Sequence, residues 1–297
     1  AVTAQGVIPT AHGRYLVYFG NILVDNGTAS GYYVASNFTI PDVVAGTYEI
    51  RFTDVTYNMN TTDNVRFTVK AAYTANAITP VAPEQLQAGD DVVLNVSITG
   101  GVPNTTQIAN ITIMQPTPLN ATYTQLVTLT TSSSGSAYTQ LTFPSSSFTP
   151  SGSSSMYAGT YTVYFNQSQN LGQSTFTLGI TDKTEYHRDE VITINAVGYQ
   201  AGQTAILTIK NNVTTLLTQT LSASSQGIIH TTWAIPSTAA LGSYNITITP
   251  QGAAKAVIDT QTFELLGYPV TFIALNLAGD AVSDIVIRVH DAHNDLF

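Results

Sequence analysis

The chain has 297 residues and a formal net charge of −9, yet only 9% of its residues are charged, where about 25% is usual for a soluble domain. Nine Lys and Arg cannot build a phosphate-binding stripe, which argues against nucleic acid and anionic membrane surfaces as partners. With no Cys, disulfides, thiolate catalysis and Cys-held metals are excluded for this chain.

A hydrophobic share of 43% sets the chain apart from a solvated coil, and its length is a prior for two to three domains. No run approaches the ~20 apolar residues of a membrane span. No basic N-terminal region followed by an apolar core is visible, so Ala1 stands either at a mature N-terminus or inside a longer chain. Solubility must come from hydroxyls, amides and sugars. Few groups titrate in moderate acid, so little electrostatic stability is expected to be lost there.

Taken in order, nearly every segment reads as a strand bounded by Gly, Pro, Asn or Ser at roughly 8–12-residue spacing, which is the pattern of an all-β sandwich. Gly13 to Phe19 is the first clear strand. A recurrent phrase then begins, Thr39-Ile40-Pro41 followed by Ala45-Gly46-Thr47-Tyr48-Glu49-Ile50-Arg51-Phe52. It returns as Thr142-Phe143-Pro144 with Ala158-Gly159-Thr160-Tyr161-Thr162-Val163-Tyr164-Phe165, and as Ala234-Ile235-Pro236 with Leu241-Gly242-Ser243-Tyr244-Asn245-Ile246-Thr247-Ile248. A closing strand follows each copy: Val65 to Lys70, Ser174 to Leu178, Thr262 to Leu266. The three Gly-Thr/Ser-Tyr sites are 113 and 83 residues apart, a domain-sized interval. Pro ends a strand because it cannot donate to a ladder, Gly allows tight entry into the next, and Tyr buries its ring with its hydroxyl at the sandwich edge, by analogy with a tyrosine corner. Within the third unit, Val191 to Ala196, Ala205 to Ile209 and Asn245 to Thr249 are β-branched and alternating. Within the second unit, Thr131 to Ser155 is rich in Ser, Thr, Gly and Pro and is read as a long surface hairpin.

Residues 181–266 resemble the bacterial and archaeal immunoglobulin-like (macroglobulin MG2-like) repeats of surface-layer proteins and adhesins. The resemblance rests on Thr181-Asp182-Lys183, Tyr186, Asp189-Glu190-Val191-Ile192-Thr193-Ile194, Gly198-Tyr199, Gly202, Gly227, Thr232-Trp233-Ala234-Ile235-Pro236 and Gly242-Ser243-Tyr244. Residues 71–180 are similar through Ala88-Gly89-Asp90-Asp91-Val92-Val93-Leu94 and the second phrase. The expected fold is therefore all-β, with tandem immunoglobulin-like antiparallel β-sandwich domains at 1–70, 71–180 and 181–266. The resemblance carries over no catalytic residue, because such domains serve as spacers, lattice modules and binders alike.

The two ends do not match this plan. Aligned on Ile-Pro, Gly13 to Phe19 fall on Gln203 to Ile209, so the first unit lacks room for its opening strands. Pro269 to Asn276 and Ala281 to His290 read as two spare strands, within 267–297, of an incomplete further domain or a donated hairpin. An isolated pair is marginal in water and its edges invite pairing. Neighbouring domains of a longer protein, or strand donation between copies, would each account for this.

Ten of the 19 Asn, at 26, 37, 60, 95, 104, 110, 120, 166, 212 and 245, lie in Asn-X-Ser/Thr sequons, where chance predicts about four or five. The excess predicts N-linked glycans on Asn26, Asn37, Asn60, Asn95, Asn104, Asn110, Asn120, Asn166, Asn212 and Asn245. Asn95, Asn110 and Asn245 fall inside strand patterns and are the less available ones. Sequons at this density point to an archaeal surface. For a metal, Ca2+ is the candidate, on Asp182, Glu185, Asp189 and Glu190 at a domain junction and on Asp291, Asn294 and Asp295, since hard oxygen ligands stiffen such joints. The five His, including His290 and His293, are too scattered for zinc. Trp233 reads as core. Tyr32, Tyr33, Tyr57, Tyr123 and Tyr157 are candidate aromatics for a carbohydrate-binding face. No catalytic constellation is found, and the chain is read as a non-enzymatic, extracellular cell-surface structural protein. Its expected partners are copies of itself, other surface proteins or glycans. The alternatives are a filament subunit assembled by strand donation and an adhesin or carbohydrate binder.

Overall fold

The computed structural model describes residues 1–60, 65–151, 157–168, 170–252, 259–268, 271, 273–276 and 278–282. Among them every regular element is a strand. β-branched and aromatic residues alternating with Thr, Ser and Asn give each strand one apolar face, and two such faces close each core. The result is a tandem of immunoglobulin-like antiparallel β-sandwiches with three separate cores.

The first sandwich contains β1 (Val2–Val7), β2 (Arg14–Phe19), β3 (Ile22–Thr28), β4 (Tyr33–Phe38), β5 (Gly46–Asp54), β6 (Met59–Asn60) and β7 (Val65–Val69). One sheet is β1-β4, and the other is β3-β2-β5 with β6 and β7 on β5. The second contains β8 (Ala72–Ala77), β9 (Val92–Thr99), β10 (Thr106–Met114), β11 (Thr122–Thr130), β12 (Ala137–Phe143), β13 (Gly159–Gln167) and β14 (Asn170–Leu178). Its sheets are β12-β9-β8 and β11-β10-β13-β14. The third contains β15 (Glu185–His187), β16 (Val191–Val197), β17 (Thr204–Lys210), β18 (Thr215–Ser222), β19 (Ile228–Ala234), β20 (Gly242–Pro250) and β21 (Asp259–Leu266). Its sheets are β16-β19 and β15-β21-β20-β17-β18.

The recurrent phrase opens β5, β13 and β20. Each of its tyrosines donates its hydroxyl to the carbonyl four residues upstream: Tyr48 to Val44 at 2.8 Å, Tyr161 to Tyr157 at 3.0 Å and Tyr244 to Ala240 at 2.7 Å. Each also stands opposite a phenylalanine on the closing strand, in the pairs Tyr48–Phe67, Tyr161–Phe176 and Tyr244–Phe263. The two later pairs stack, with ring centroids 4.9 and 5.6 Å apart. Gly159 and Gly242 enter their strands at φ 132° and 121°, where an L side chain is strained.

How the sandwiches join follows one rule. β7 ends at Val69 and β8 begins at Ala72, so the chain leaving the first sandwich becomes the edge strand that covers β9. The chain leaving β14 likewise runs along β16, where Thr181 bridges Ile194 and Asn195 N–H donates to the Ile180 carbonyl. The entering segment then crosses to the opposite sheet and lies parallel to the closing strand. In the third sandwich this is β15 on β21; in the second it is Gln87 beside Gly179.

The opening of the first sandwich differs from the expectation of missing opening strands. Its first residues form β1, paired with β4 from Val2↔Phe38 to Val7↔Tyr33, as β16 pairs with β19. The alternation Val2, Ala4, Gly6, Ile8 supplies the inward face, and short side chains there left a weak strand signal in the sequence. The edge segment and the parallel strand of the other two sandwiches have no counterpart on it among the described residues. Of the two spare strands read after 267, the described part is a turn from Asn276 to Asp280 with Leu275 bridging Ala281; the remainder lies outside the described residues.

Candidate functional site

The acidic residues at the third sandwich's entry do not surround one point. Asp182 Oδ1 accepts the Tyr186 hydroxyl at 2.7 Å and the Thr193 N–H at 2.8 Å. Glu190 Oε2 accepts the His187 N–H at 2.9 Å, and its other oxygen lies 3.7 Å from Lys183 Nζ. Glu185 and Asp189 are exposed. Among the described residues no three His, Asp or Glu converge, whereas Ca2+ takes six to eight oxygens. This set does not fit a calcium site; it caps turns and fixes the domain entry. Asp291, Asn294 and Asp295 lie outside the described residues.

The sequons sort by strand geometry. Asn26, Asn37, Asn60, Asn104, Asn120, Asn166 and Asn212 are exposed, and Asn95, Asn110 and Asn245 are half-buried. Asn95 Oδ1 accepts from Tyr138 at 2.7 Å and Gln140 at 3.0 Å. Asn245 Oδ1 accepts from Thr247 at 2.8 Å, the hydroxyl of its own sequon, and from Thr260 at 3.2 Å. Asn110 and Asn166 face each other across β10 and β13, within the ~5 Å of a cross-strand pair, so a sugar on one would cover the other.

The aromatic candidates divide. Tyr32, Tyr33 and Tyr57 are 59%, 43% and 64% exposed, and the 8–13 segment joins the two turns that carry them. Ile8 N–H donates to the Tyr32 carbonyl, His12 N–H to the Gly31 carbonyl, and Thr10 N–H to Asp54 Oδ2. Tyr123 is instead in the second core, edge-on to Phe143, because β11 points it inward. Tyr157 is half-buried, and its ring would meet any Cβ at Gly198 of the third sandwich. Trp233 packs half-buried on the third core.

A groove of about 500 Å³ runs between the second and third sandwiches, lined by Gln85, Thr160, Thr177, Thr260, Gln261 and Thr262 among others. Its described lining holds hydroxyls and amides and no carboxylate or imidazole. Its floor is a latch that sequence reasoning missed. Gln85 Nε2 donates to Thr181 O at 2.8 Å, Thr181 Oγ1 at 2.9 Å and Lys183 O at 3.3 Å. Gln87 Nε2 donates to Thr193 O at 2.9 Å. Gln261 accepts the Ile180 N–H at 2.7 Å and donates to Thr181 Oγ1 at 2.7 Å. The available signal was two Gln at alternate positions after Pro83, where a strand meets a partner on one face.

Electrostatics follow burial. Tyr186 is pushed far above the ordinary phenol range by burial first, then by its bond to Asp182 and that carboxylate's charge. Burial and the Asp259 charge do the same to Tyr199, whose hydroxyl donates to Asp259 Oδ2. Burial pushes Asp54 up, but hydrogen bonds from Thr10, Thr56 and Tyr57 outweigh it and hold it below the usual carboxylate range.

No family model matches the chain, and no curated protein is similar to it in sequence. Similar solved structures include a tetra-tandem repeat in the extending region of a large adhesion protein, at 15% identity over 89% of this chain and 70% of that one, with a TM-score of 0.27. A trypsin-activated alpha-2-macroglobulin from Escherichia coli is similar at 12% identity over 90% of this chain, with a TM-score of 0.25. A red sea bream transglutaminase is similar at 9% identity over 74%, with a TM-score of 0.32. The chain spans 22% and 38% of the length of those last two. What the fold defines is a tandem immunoglobulin-like β-sandwich protein. Among the described residues no helix is long and apolar enough to cross a membrane.

Proposed function

We propose that this chain is a non-enzymatic extracellular structural protein, a component of a glycosylated prokaryotic, and specifically archaeal, surface layer. The observation that carries the reading is the placement of the sequons. Seven of ten are exposed on sandwiches that carry few charges, so sugars and hydroxyls would hydrate the exterior. Its work is mechanical: stable cores set spacing, and the Gln85–Thr181 latch fixes the angle between two of them. Electron microscopy of native cell envelopes labelled with an antibody to this chain tests it. Label on a two-dimensional surface array is expected; label confined to the cytosol would overturn the reading.

The clustering of Tyr32, Tyr33 and Tyr57 favours a second reading, an adhesin or carbohydrate-binding surface protein, since exposed aromatic rings stack on sugar faces. Binding to a glycan array that Tyr57→Ala removes would support it, and an array without binding would dismiss it.

A further inference from the structure

We propose that the groove between the second and third sandwiches is the seat of a neutral glycan carried by Asn120 of the same chain. The inference deepens the glycoprotein reading and rests on it. The groove takes residues from both sandwiches: Thr160 and Thr177 from the second, Thr260 and Thr262 from the third. At about 500 Å³ it lies within the size range of small-molecule sites. Its hydroxyls and amides sit beside Pro116, Ala158, Leu178 and Ile180. A sugar ring offers the complement, with hydroxyls around its rim and C–H groups on its faces. The described lining holds no Asp, Glu, Lys, Arg or His, so an ionic ligand would find no counter-charge there.

A sequon stands at the rim. β10 ends at Met114 and β11 begins at Thr122, and Pro116 and Thr117 of the loop between them line the groove. This loop is held in place. Gln115 N–H donates to the Ala121 carbonyl at 2.9 Å, and the N–H groups of Leu119 and Asn120 donate to the Pro116 carbonyl at 3.1 and 3.3 Å. Pro116 in turn seats on the bare Gly159, where an added Cβ would fall 2.7 Å from the proline ring. Asn120 is thus bonded directly to a residue of the lining while itself exposed. Its φ of 48° is one that Asn tolerates. Asn120 Nδ2 donates to the Pro118 carbonyl at 3.4 Å, a bond that one amide hydrogen keeps while the other is replaced. In the modification an N–C bond forms between Nδ2 and the anomeric carbon of a phosphate-activated sugar. That carbon's bond to the phosphate oxygen breaks, the electron pair leaves with the phosphate, and Nδ2 gives up one proton.

Asn245 is the rival donor, because it stands opposite Thr262. It is half-buried in its strand, and its Oδ1 already accepts from Thr247 and Thr260. The Asn120 loop carries neither obstacle. A glycan running from it into the groove touches both sandwiches, so the joint is held by sugar as well as by the Gln85–Thr181 latch.

The absence of native Cys allows a single-thiol probe. Thr177→Cys places a thiol in the groove, and Thr218→Cys, exposed on β18 and outside the lining, is the control. Both are made in the full chain in its native cells, checked by glycopeptide mass spectrometry and labelled with a maleimide. The labelling rate follows the fraction of time the groove stands open. Adding Thr122→Val deletes the sequon without altering Asn120, and it should speed labelling of Thr177→Cys roughly tenfold, as for a groove filled about nine-tenths of the time. Thr122→Ser keeps the sequon and should keep the slow rate, and Thr218→Cys should label equally in every background. Sugar on Asn120 with a Thr177→Cys rate that Thr122→Val leaves unchanged overturns the proposal, and the glycoprotein reading stands. Sugar at other sequons with none on Asn120 has the same meaning. No sugar at any sequon overturns both.

Discussion

A tyrosine hydroxyl aimed at a carbonyl four residues back recurs three times in this chain, and it sets how each sandwich edge is held. Removing the hydroxyl leaves a carbonyl short of its partner, which costs about 1–2 kcal/mol where the site is buried. Tyr161→Phe and Tyr244→Phe should therefore lower stability by that amount in chemical denaturation, and Tyr48→Phe by less, because Tyr48 is half-exposed. Titratable residues give the pH limits. The Asp54 carboxyl is held below its ordinary pKa, so the stability it confers is complete above about pH 4 and is lost as pH falls through the lower folded value. Asp54→Asn should remove that acid-side slope from the first sandwich, while the low charge of the chain keeps other slopes shallow. Tyr186 and Tyr199 are raised when folded. Their contribution is present below about pH 10 and declines as pH rises above it. Absorbance titration of phenolate should show late-ionising tyrosines, with Tyr161, Tyr186 and Tyr199 foremost, that appear only with alkaline unfolding.

At the scale of elements, strands were legible and junctions were not. Val191 to Ala196 and Ala205 to Ile209 alternate strongly enough to name their buried faces, and β16 and β17 bury those faces. The recurrent phrase even pointed to the tyrosine's edge position, since Pro, Gly and Tyr act locally. What stayed hidden was made by residues far apart in sequence. Gln85 and Thr181 are separated by 96 positions, and neither neighbourhood announces the other. Tyr123 was misplaced among surface aromatics because a single tyrosine does not reveal which face of its strand is inward. The acidic cluster looked like a cation site by proximity in sequence, but strand and turn geometry gave Asp182 and Glu190 different partners. The latch itself makes a prediction. Gln85→Ala with Gln87→Ala leaves buried carbonyls unpaired, each costing about 1–3 kcal/mol, and calorimetry should show one joint transition of the second and third sandwiches separating into two.

As a whole molecule, three sandwiches with separate cores form a string whose joints differ. A side-chain latch ties the second to the third, and the first joins the second through Lys70 and Ala71 between β7 and β8, with Ala45 N–H bonded to the Gly100 carbonyl. Low charge means that such a string needs another source of hydration, and on the proposed reading glycans on the sequons would be that source. The exposed set lies on all three sandwiches, and the half-buried set lies in central strands, where the oxygens of Asn95 and Asn245 are already engaged. Glycopeptide mass spectrometry of the protein isolated from its native cells tests this most directly. The account predicts a mass above 31.6 kDa, sugar on most of Asn26, Asn37, Asn60, Asn104, Asn120, Asn166 and Asn212, and little on Asn95, Asn110 and Asn245. A native chain carrying no sugar at any sequon would contradict it.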